Sequence, residues 1–372
     1  MANSQDYLRD LRSLGYSFRY NEVTDRIEVN GQPITDAMAA KIRTQMRDLN
    51  NKRMSEVEDA YTAHAFDNCY HPVRDYIRGL QWDGGAHIDK LAGHFTDTHG
   101  MFPIYLRRWL IGAVAKAFER TQNFMLVLDG MQGGGKSYFA NWLCPAAMIQ
   151  YSVEGAINAT DKDAWRRLTT KWLWEVGEFG ATVRKADREV LKDFVTRLDV
   201  TIRLPYGKYD TVRPALASLI GTVNNEGAGI LNDPSGSRRF AVVTLESIDW
   251  AYAALDVNQV WAEAYFAYQG GESWELTAAE RARQAAINEE YELESGVEGF
   301  LRKYYDLDPN GSDWTAGVDI VQELEVYGLK GVQVVMLREL ASLMKRAGHE
   351  RKRIKQVWSY RGVTRKNTGV II

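Results

Sequence analysis

The sequence predicts an α/β fold: an open, mostly parallel sheet whose strands alternate with helices and one of whose strands ends in a glycine-rich loop. Three observations carry that expectation. The run Phe124-Met125-Leu126-Val127-Leu128-Asp129 leads directly into Gly130-Met131-Gln132-Gly133-Gly134-Gly135-Lys136-Ser137, and a helix-like stretch follows at 138–143. Three more apolar runs, at 171–178, 216–225 and 240–245, carry polar residues at their ends, as buried parallel strands do when they deliver side chains to one edge. Helical periods separate these runs, so the strands pair in parallel and the ligand site falls at their carboxyl ends.

Period-two alternation at 16–20 and 26–31 predicts two short strands around a turn at 21–25. Thr35 and Asp36 offer a cap for a helix in which Met38, Ile42, Met46 and Leu49 recur on one face. A helix over 54–66 and the turn His71-Pro72 come next. An amphipathic helix over 105–120, with Leu106, Trp109, Leu110, Ala113, Val114 and Ala117 inward, then leads into the first sheet strand. Beyond the glycine loop the pattern gives a strand over 171–178, a helix over 188–198, a hairpin over 200–212 around a Pro/Gly turn, and strands at 216–225 and 240–245. Helical periodicity resumes over 260–268 and 278–304, and 306–312 reads as a linker. Helices at 316–325 and 337–345 and an alternating basic end at 357–363 fit a small winged helix-turn-helix. The expected domains are an α+β and helical region at 1–100, the sheet core with its following helices at 101–305, and a basic winged-helix-like domain at 306–372.

With 372 residues, the chain exceeds one typical core, and 45% hydrophobic with 26% charged residues marks a globular, soluble protein. No apolar run is long enough to span a bilayer and the polar start lacks a signal sequence, so a cytoplasmic protein without membrane attachment is expected. Cys69 and Cys144 cannot build a disulfide framework and read as packing residues. His64, His71, His87, His94 and His99 crowd one region, but their spacing matches no metal motif. A net charge of −3 argues against nucleic-acid binding by the whole surface. Between 345 and 366, however, basic residues that include Arg351, Lys352, Arg353 and Lys355 face a single acid, Glu350. That tail is either a DNA-binding surface or a solvated helix face.

The glycine loop has the residues a nucleoside triphosphate needs. Gly130, Gly133, Gly134 and Gly135 let backbone N–H groups close on phosphate oxygens, Lys136 can reach the β- and γ-phosphates, and the Ser137 hydroxyl can ligate Mg²⁺. Cleaving the γ-phosphate further requires a held metal, an oriented water and positive charge. Glu175 and Glu178, at or just past a strand end, can divide the metal and water tasks; Val176 and Gly177 separate them, so the assignment stays open. Asn224 ends the third strand where an amide can sense the γ-phosphate. Arg238 and Arg239 directly precede a strand, and as fingers entering a neighbouring subunit's site they would add ~10³ or more in rate. On the hairpin, Arg203 and Lys208 can track a phosphate backbone while Tyr206 meets sugars or bases, which suits single-stranded DNA.

Taken in order, the glycine loop, Lys171-Trp172-Leu173-Trp174-Glu175-Val176-Gly177-Glu178, Arg203-Leu204-Pro205-Tyr206-Gly207, Gly221-Thr222-Val223-Asn224-Asn225 and Asp233-Pro234-Ser235-Gly236-Ser237-Arg238-Arg239-Phe240 resemble the virulence-associated protein E family. His71-Pro72-Val73-Arg74-Asp75-Tyr76 and Leu80-Gln81-Trp82-Asp83-Gly84 are also similar to it. That family occurs in phages, plasmids and phage-satellite islands and looks like the superfamily 3 helicases of the AAA+ class. The resemblance implies Walker A roles for Lys136 and Ser137, the Walker B region for Glu175 and Glu178, the sensor for Asn224, the finger for Arg238 and Arg239, and the channel hairpin for Lys208. It also implies ATP and Mg²⁺ as cofactors, a homo-hexameric ring around DNA, and replication in a bacterial or phage-infected cell. No primase signature precedes the core, so a separate primase is the expected partner. Two other functions fit the phosphate loop: a nucleotide-switched, DNA-binding replication adaptor, and a small-molecule kinase. The kinase leaves the paired arginines and the basic tail unexplained.

Overall fold

The computed structural model describes residues 4–49, 53–180, 182, 188–203, 210–224, 237–291, 296–326, 328–329 and 331–366. The chain divides into two compact units, Met1–Tyr291 and Glu292–Ile372.

In the first unit, α1 (Ser4–Ser13), β1 (Phe18–Asn21), β2 (Arg26–Val29), β3 (Gln32–Pro33), α2 (Asp36–Asp48), α3 (Met54–Asp67) and β4 (Cys69–Tyr70) make a small α+β layer. Its sheet runs β3-β2-β1-β4, with Phe18 opposite Val29 across the antiparallel pair. The Thr35 hydroxyl accepts from Met38 N–H at 3.2 Å, the expected cap. Alternation in the strands and the helical period in α2 bring Leu11, Phe18, Val29, Ile42, Met46 and Val57 into one apolar cluster.

The larger layer follows with α4 (Pro72–Gly79), α5 (His87–Ala92), β5 (Phe95–Asp97), α6 (Phe102–Phe118), β6 (Met125–Gly130), α7 (Lys136–Trp142), β7 (Ser152–Glu154), α8 (Lys162–Thr170), β8 (Leu173–Val176), α9 (Arg188–Thr196), β9 (Asp199–Arg203), β10 (Asp210–Pro214), β11 (Ser218–Thr222), β12 (Phe240–Ile248), α10 (Val257–Gln269) and α11 (Ala278–Glu290). Six strands form its sheet in the order β5-β12-β6-β11-β8-β7, all parallel except β5, which runs against β12. Strands β6, β8 and β11 are buried along their whole length, which is why they read as continuous apolar runs. Helix α6 is covered nearly all round. The Trp109 indole donates to Leu219 O at 3.1 Å, and Trp172 reaches back to Ala113 O at 3.1 Å, tying helix to sheet.

The second unit holds α12 (Gly296–Tyr304), β13 (Tyr305–Leu307), β14 (Trp314–Ala316), α13 (Gly317–Val326), α14 (Gln333–Arg346), β15 (Arg351–Ile354), β16 (Val357–Arg361) and β17 (Val363–Arg365). Antiparallel β14-β16-β15 and β13-β17 close over Ile320, Leu324, Leu340, Met344, Tyr360 and Val363.

Several sequence expectations shift. The apolar faces of α4 and α5 join the core of the large sheet, and β5 becomes its edge, so residues 72–97 belong with that layer rather than with the amino-terminal region. The helical period over 278–304 is two helices, α11 and α12. The expected linker at 306–312 begins inside β13, which pairs with β17, so the second unit starts at 292 rather than 306. Cys144 is a buried packing residue as expected, whereas Cys69 is exposed, because β4 is only two residues long and leaves its side chain outside. No helix among the described residues is long and apolar enough to cross a membrane.

Candidate nucleotide-binding site

The site grows from the carboxyl edge of the parallel sheet. Strand β6 ends at Gly130, the loop turns through Gly133 (φ +76°) and Gly135 (φ +95°), and α7 opens at Lys136. Backbones in that left-handed region favour glycine, so the spacing of the motif is set by the turn itself. Asp129, buried at the strand end, accepts from its neighbour's amide, Gly130 N–H, at 2.8 Å. The Lys136 ammonium donates to Gly130 O and Met131 O at 2.8 Å each. Burial pushes its pKa below the ordinary lysine value, with Asp129 pulling weakly the other way.

Two segments distant in sequence converge on one carboxylate carried by a third. Ser137 Oγ donates to Glu175 Oε1 at 2.9 Å, and Thr222 Oγ1 donates to the same oxygen at 2.8 Å. The register explains it: β11 lies between β6 and β8, with Ile220 opposite both Leu126 and Glu175, so the ends of all three strands open on the same space. Glu175 is only 4% exposed, and burial raises its carboxyl pKa against the lowering effect of the Thr222 and Ser137 hydrogen bonds. Its second oxygen, Oε2, has no hydrogen-bond partner among the described residues. A buried carboxylate with one oxygen unsatisfied and a serine hydroxyl beside it is a donor set that fits a hard divalent cation.

The remaining candidates fall in separable places. Glu178 lies past the end of β8, exposed, with φ +49°, three residues beyond Glu175 and outside its hydroxyl cluster. Asn224 is exposed just after β11, next to Val223, whose N–H donates to Leu128 O at the end of β6. Arg238 and Arg239 occupy the single turn before β12, where Phe240 pairs with Met125 at the opposite end of the strands. Five residue steps separate that end from the Gly130 end, about 17 Å of strand. Neither arginine serves the glycine loop of its own chain. Strands β9 and β10 form the expected hairpin, Arg203 opposite Asp210, but Tyr206, Lys208 and the side chain of Arg203 lie outside the described residues.

In the second unit, β15 and the turn after it leave Arg351, Lys352, Arg353 and Lys355 exposed. The Arg351 guanidinium lies 3.9 Å from the Trp358 ring centre, with Arg353 at 5.1 Å. Other basic residues of the tail are committed to structure: Arg361 to Glu350, Arg365 to Glu323, and Lys366 to Arg302 O. Of the crowded histidines, His87, His94 and His99 each hold a carboxylate, on Asp83, Asp249 and Glu290. Among the described residues no three His, Cys, Asp or Glu side chains gather as a metal centre.

Thr222 is the site residue that sequence reading missed. Nothing in Gly221-Thr222-Val223 distinguishes its hydroxyl until strand register sets it beside Glu175.

Residues 77–293 match the model of the virulence-associated protein E-like domain, more than half of the chain. The chain belongs to this family. The matched span holds every site element from β6 to β12, so the virulence-associated protein E-like domain contains the whole converging cluster. Two solved structures, the apo structure of the NrS-1 C-terminal region (305–718) and its A form, are similar in fold, with TM-scores of 0.51 and 0.52, 12% identity in each case, coverage of 98% and 97% of this chain, and all of the other. No curated protein matches the chain.

Proposed function

We propose that this virulence-associated protein E-like chain is an ATP-dependent DNA helicase of a phage, plasmid or phage-satellite replication module, built on an AAA+ P-loop core of the superfamily 3 type. One observation carries the reading: the Ser137 and Thr222 hydroxyls meet on Glu175 beside the Lys136 loop. Family membership supports the replication context.

In this reading the backbone N–H groups of Gly133, Gly134 and Gly135 hold phosphate oxygens, and Lys136 leaves its loop carbonyls to place charge on the β- and γ-phosphates. Ser137 and Glu175 would hold Mg²⁺, whose charge offsets that of the triphosphate. Glu175 then keeps the metal task, because it already sits on Ser137, and exposed Glu178 orients the attacking water with Asn224 at the γ-phosphate. Arg238 and Arg239, at the far end of the strands, complete the site of the next subunit in a homo-hexamer. The β9–β10 hairpin, with Arg203, Tyr206 and Lys208, touches single-stranded DNA, and the winged-helix-like second unit adds duplex origin contacts through Arg351, Lys352, Arg353 and Lys355. The protein acts in the bacterial cytoplasm.

The test is ATP hydrolysis with and without single-stranded DNA, paired with unwinding of a forked duplex. Stimulated hydrolysis that unwinds the fork and is lost in Lys136→Ala supports the helicase. DNA-stimulated hydrolysis without unwinding favours the nucleotide-switched adaptor, and hydrolysis indifferent to DNA sinks the DNA-motor reading.

A further inference from the structure

The glycine loop has a flank on either side. In the strand order β12-β6-β11-β8, the carboxylate cluster lies on the β11 and β8 side of the glycine loop. A triphosphate whose reacting end faces Glu175 must therefore run its nucleoside toward β12. On leaving β12 the chain passes through Asp249 and places Trp250 against the loop: a methyl group at Gly135 would come within 2.7 Å of Trp250 Cζ2. Tyr138, one turn along α7, meets the same indole with ring centres 5.2 Å apart and planes at 51°. Both rings are half open, Trp250 at 51% and Tyr138 at 52% exposure.

Two large aromatics left in solvent beside a phosphate cradle are not core packing, and their position is fixed. Asp249 accepts from Ala251 N–H at 3.0 Å and holds the His94 ring at 2.7 Å, while its own N–H donates to His94 O at 2.7 Å. Tyr252, fully buried two residues later, anchors the other side of the turn and meets Tyr138 edge-on. The indole is thus presented rather than tethered loosely. A rigid, half-exposed π surface suits a flat heteroaromatic ring, and stacking accepts any base with a large enough face.

We infer that Trp250 and Tyr138 form a stacking ledge for the purine base of the bound nucleoside triphosphate. The inference rests on the proposed nucleotide site and assigns it a base-recognition element. Because stacking reads area and not hydrogen-bond pattern, the ledge takes adenine and guanine alike and contributes affinity that the phosphates cannot supply.

Calorimetric titration of the full chain with Mg²⁺ and, separately, ATP, GTP and inorganic tripolyphosphate tests this. Trp250→Ala should weaken ATP and GTP by roughly tenfold, leave tripolyphosphate within about twofold of wild type, and be largely rescued by Trp250→Phe; Tyr138→Ala should show the same pattern with a smaller loss. Circular dichroism of each variant checks its fold. ATP affinity unchanged in both alanine variants overturns the ledge while leaving the nucleotide site standing, and an equal loss for tripolyphosphate overturns it as a distortion of the glycine loop. Wild-type protein that binds neither ATP nor tripolyphosphate overturns the nucleotide reading itself and the ledge with it.

Discussion

Glu175 is in tension with its surroundings, and the tension can be measured. Its carboxyl is buried with one oxygen unsatisfied among the described residues, and burial raises its folded pKa from the ordinary glutamate value. Between the unfolded and the raised folded value the native state binds more protons than the unfolded chain, so this group's contribution to stability falls as pH rises through that window and stays reduced above it. Glu175→Gln keeps an oxygen for Ser137 and Thr222 but removes the charge. Its melting temperature should match wild type near pH 4 and exceed it at pH 7 by about 1–3 °C, corresponding to roughly 1 kcal/mol. The same variant should lose about 10²-fold or more in hydrolysis. A variant that melts below wild type at pH 7 would show that the carboxylate is stabilising and not merely tolerated for function.

At the level of elements, the exposed basic strand β15 of the second unit is the clearest local device. Arg351 and Arg353 on exposed β15 lie alongside Trp358 of the neighbouring β16, so their charge is available to phosphates while their planes are held by the ring. Replacing both with alanine should weaken duplex binding several-fold and flatten the dependence of affinity on salt by about one to two counterions, with hydrolysis in the absence of DNA unchanged. Fluorescence anisotropy over a salt series reads this directly, and an unaltered slope would remove β15 from the proposed DNA interface. The elements that sequence pattern revealed are those with a physical signature of their own: β6, β8 and β11 are apolar because both faces are covered, and α2 repeats at helical spacing because one face is. Strands β5 and β7 have three residues each, too few for any period to show, and they exist only because β12 and β8 offer free edges. Strand β13 carries Asp306 between Tyr305 and Leu307 and runs into Asp308-Pro309-Asn310-Gly311, so turn chemistry masked the pairing with β17 and moved the expected boundary. In the site, Lys136, Ser137 and Glu175 were legible from their motifs. Thr222 and the Trp250 ledge depend on register and on a close approach at Gly135, which no local pattern encodes.

At the scale of the whole molecule, the decisive geometry is the length of one strand pair. Lys136 and Glu175 stand at the carboxyl edge of the sheet and Arg238 and Arg239 at the amino edge, so in the proposed helicase a single chain carries both halves of the hydrolytic site but cannot join them. The proposed ring would join them by placing one chain's arginines in the next chain's cradle. In that arrangement the site is shared between copies, and it is tested by mixing two inactive proteins before assembly, one carrying Lys136→Ala and the other Arg238→Ala with Arg239→Ala. Each alone should hydrolyse almost no ATP. In an equal mixture about a quarter of the interfaces pair an intact cradle with intact arginines, so DNA-stimulated hydrolysis should reappear. A mixture as inactive as its parts, or an arginine variant that hydrolyses ATP at the wild-type rate by itself, would contradict the account.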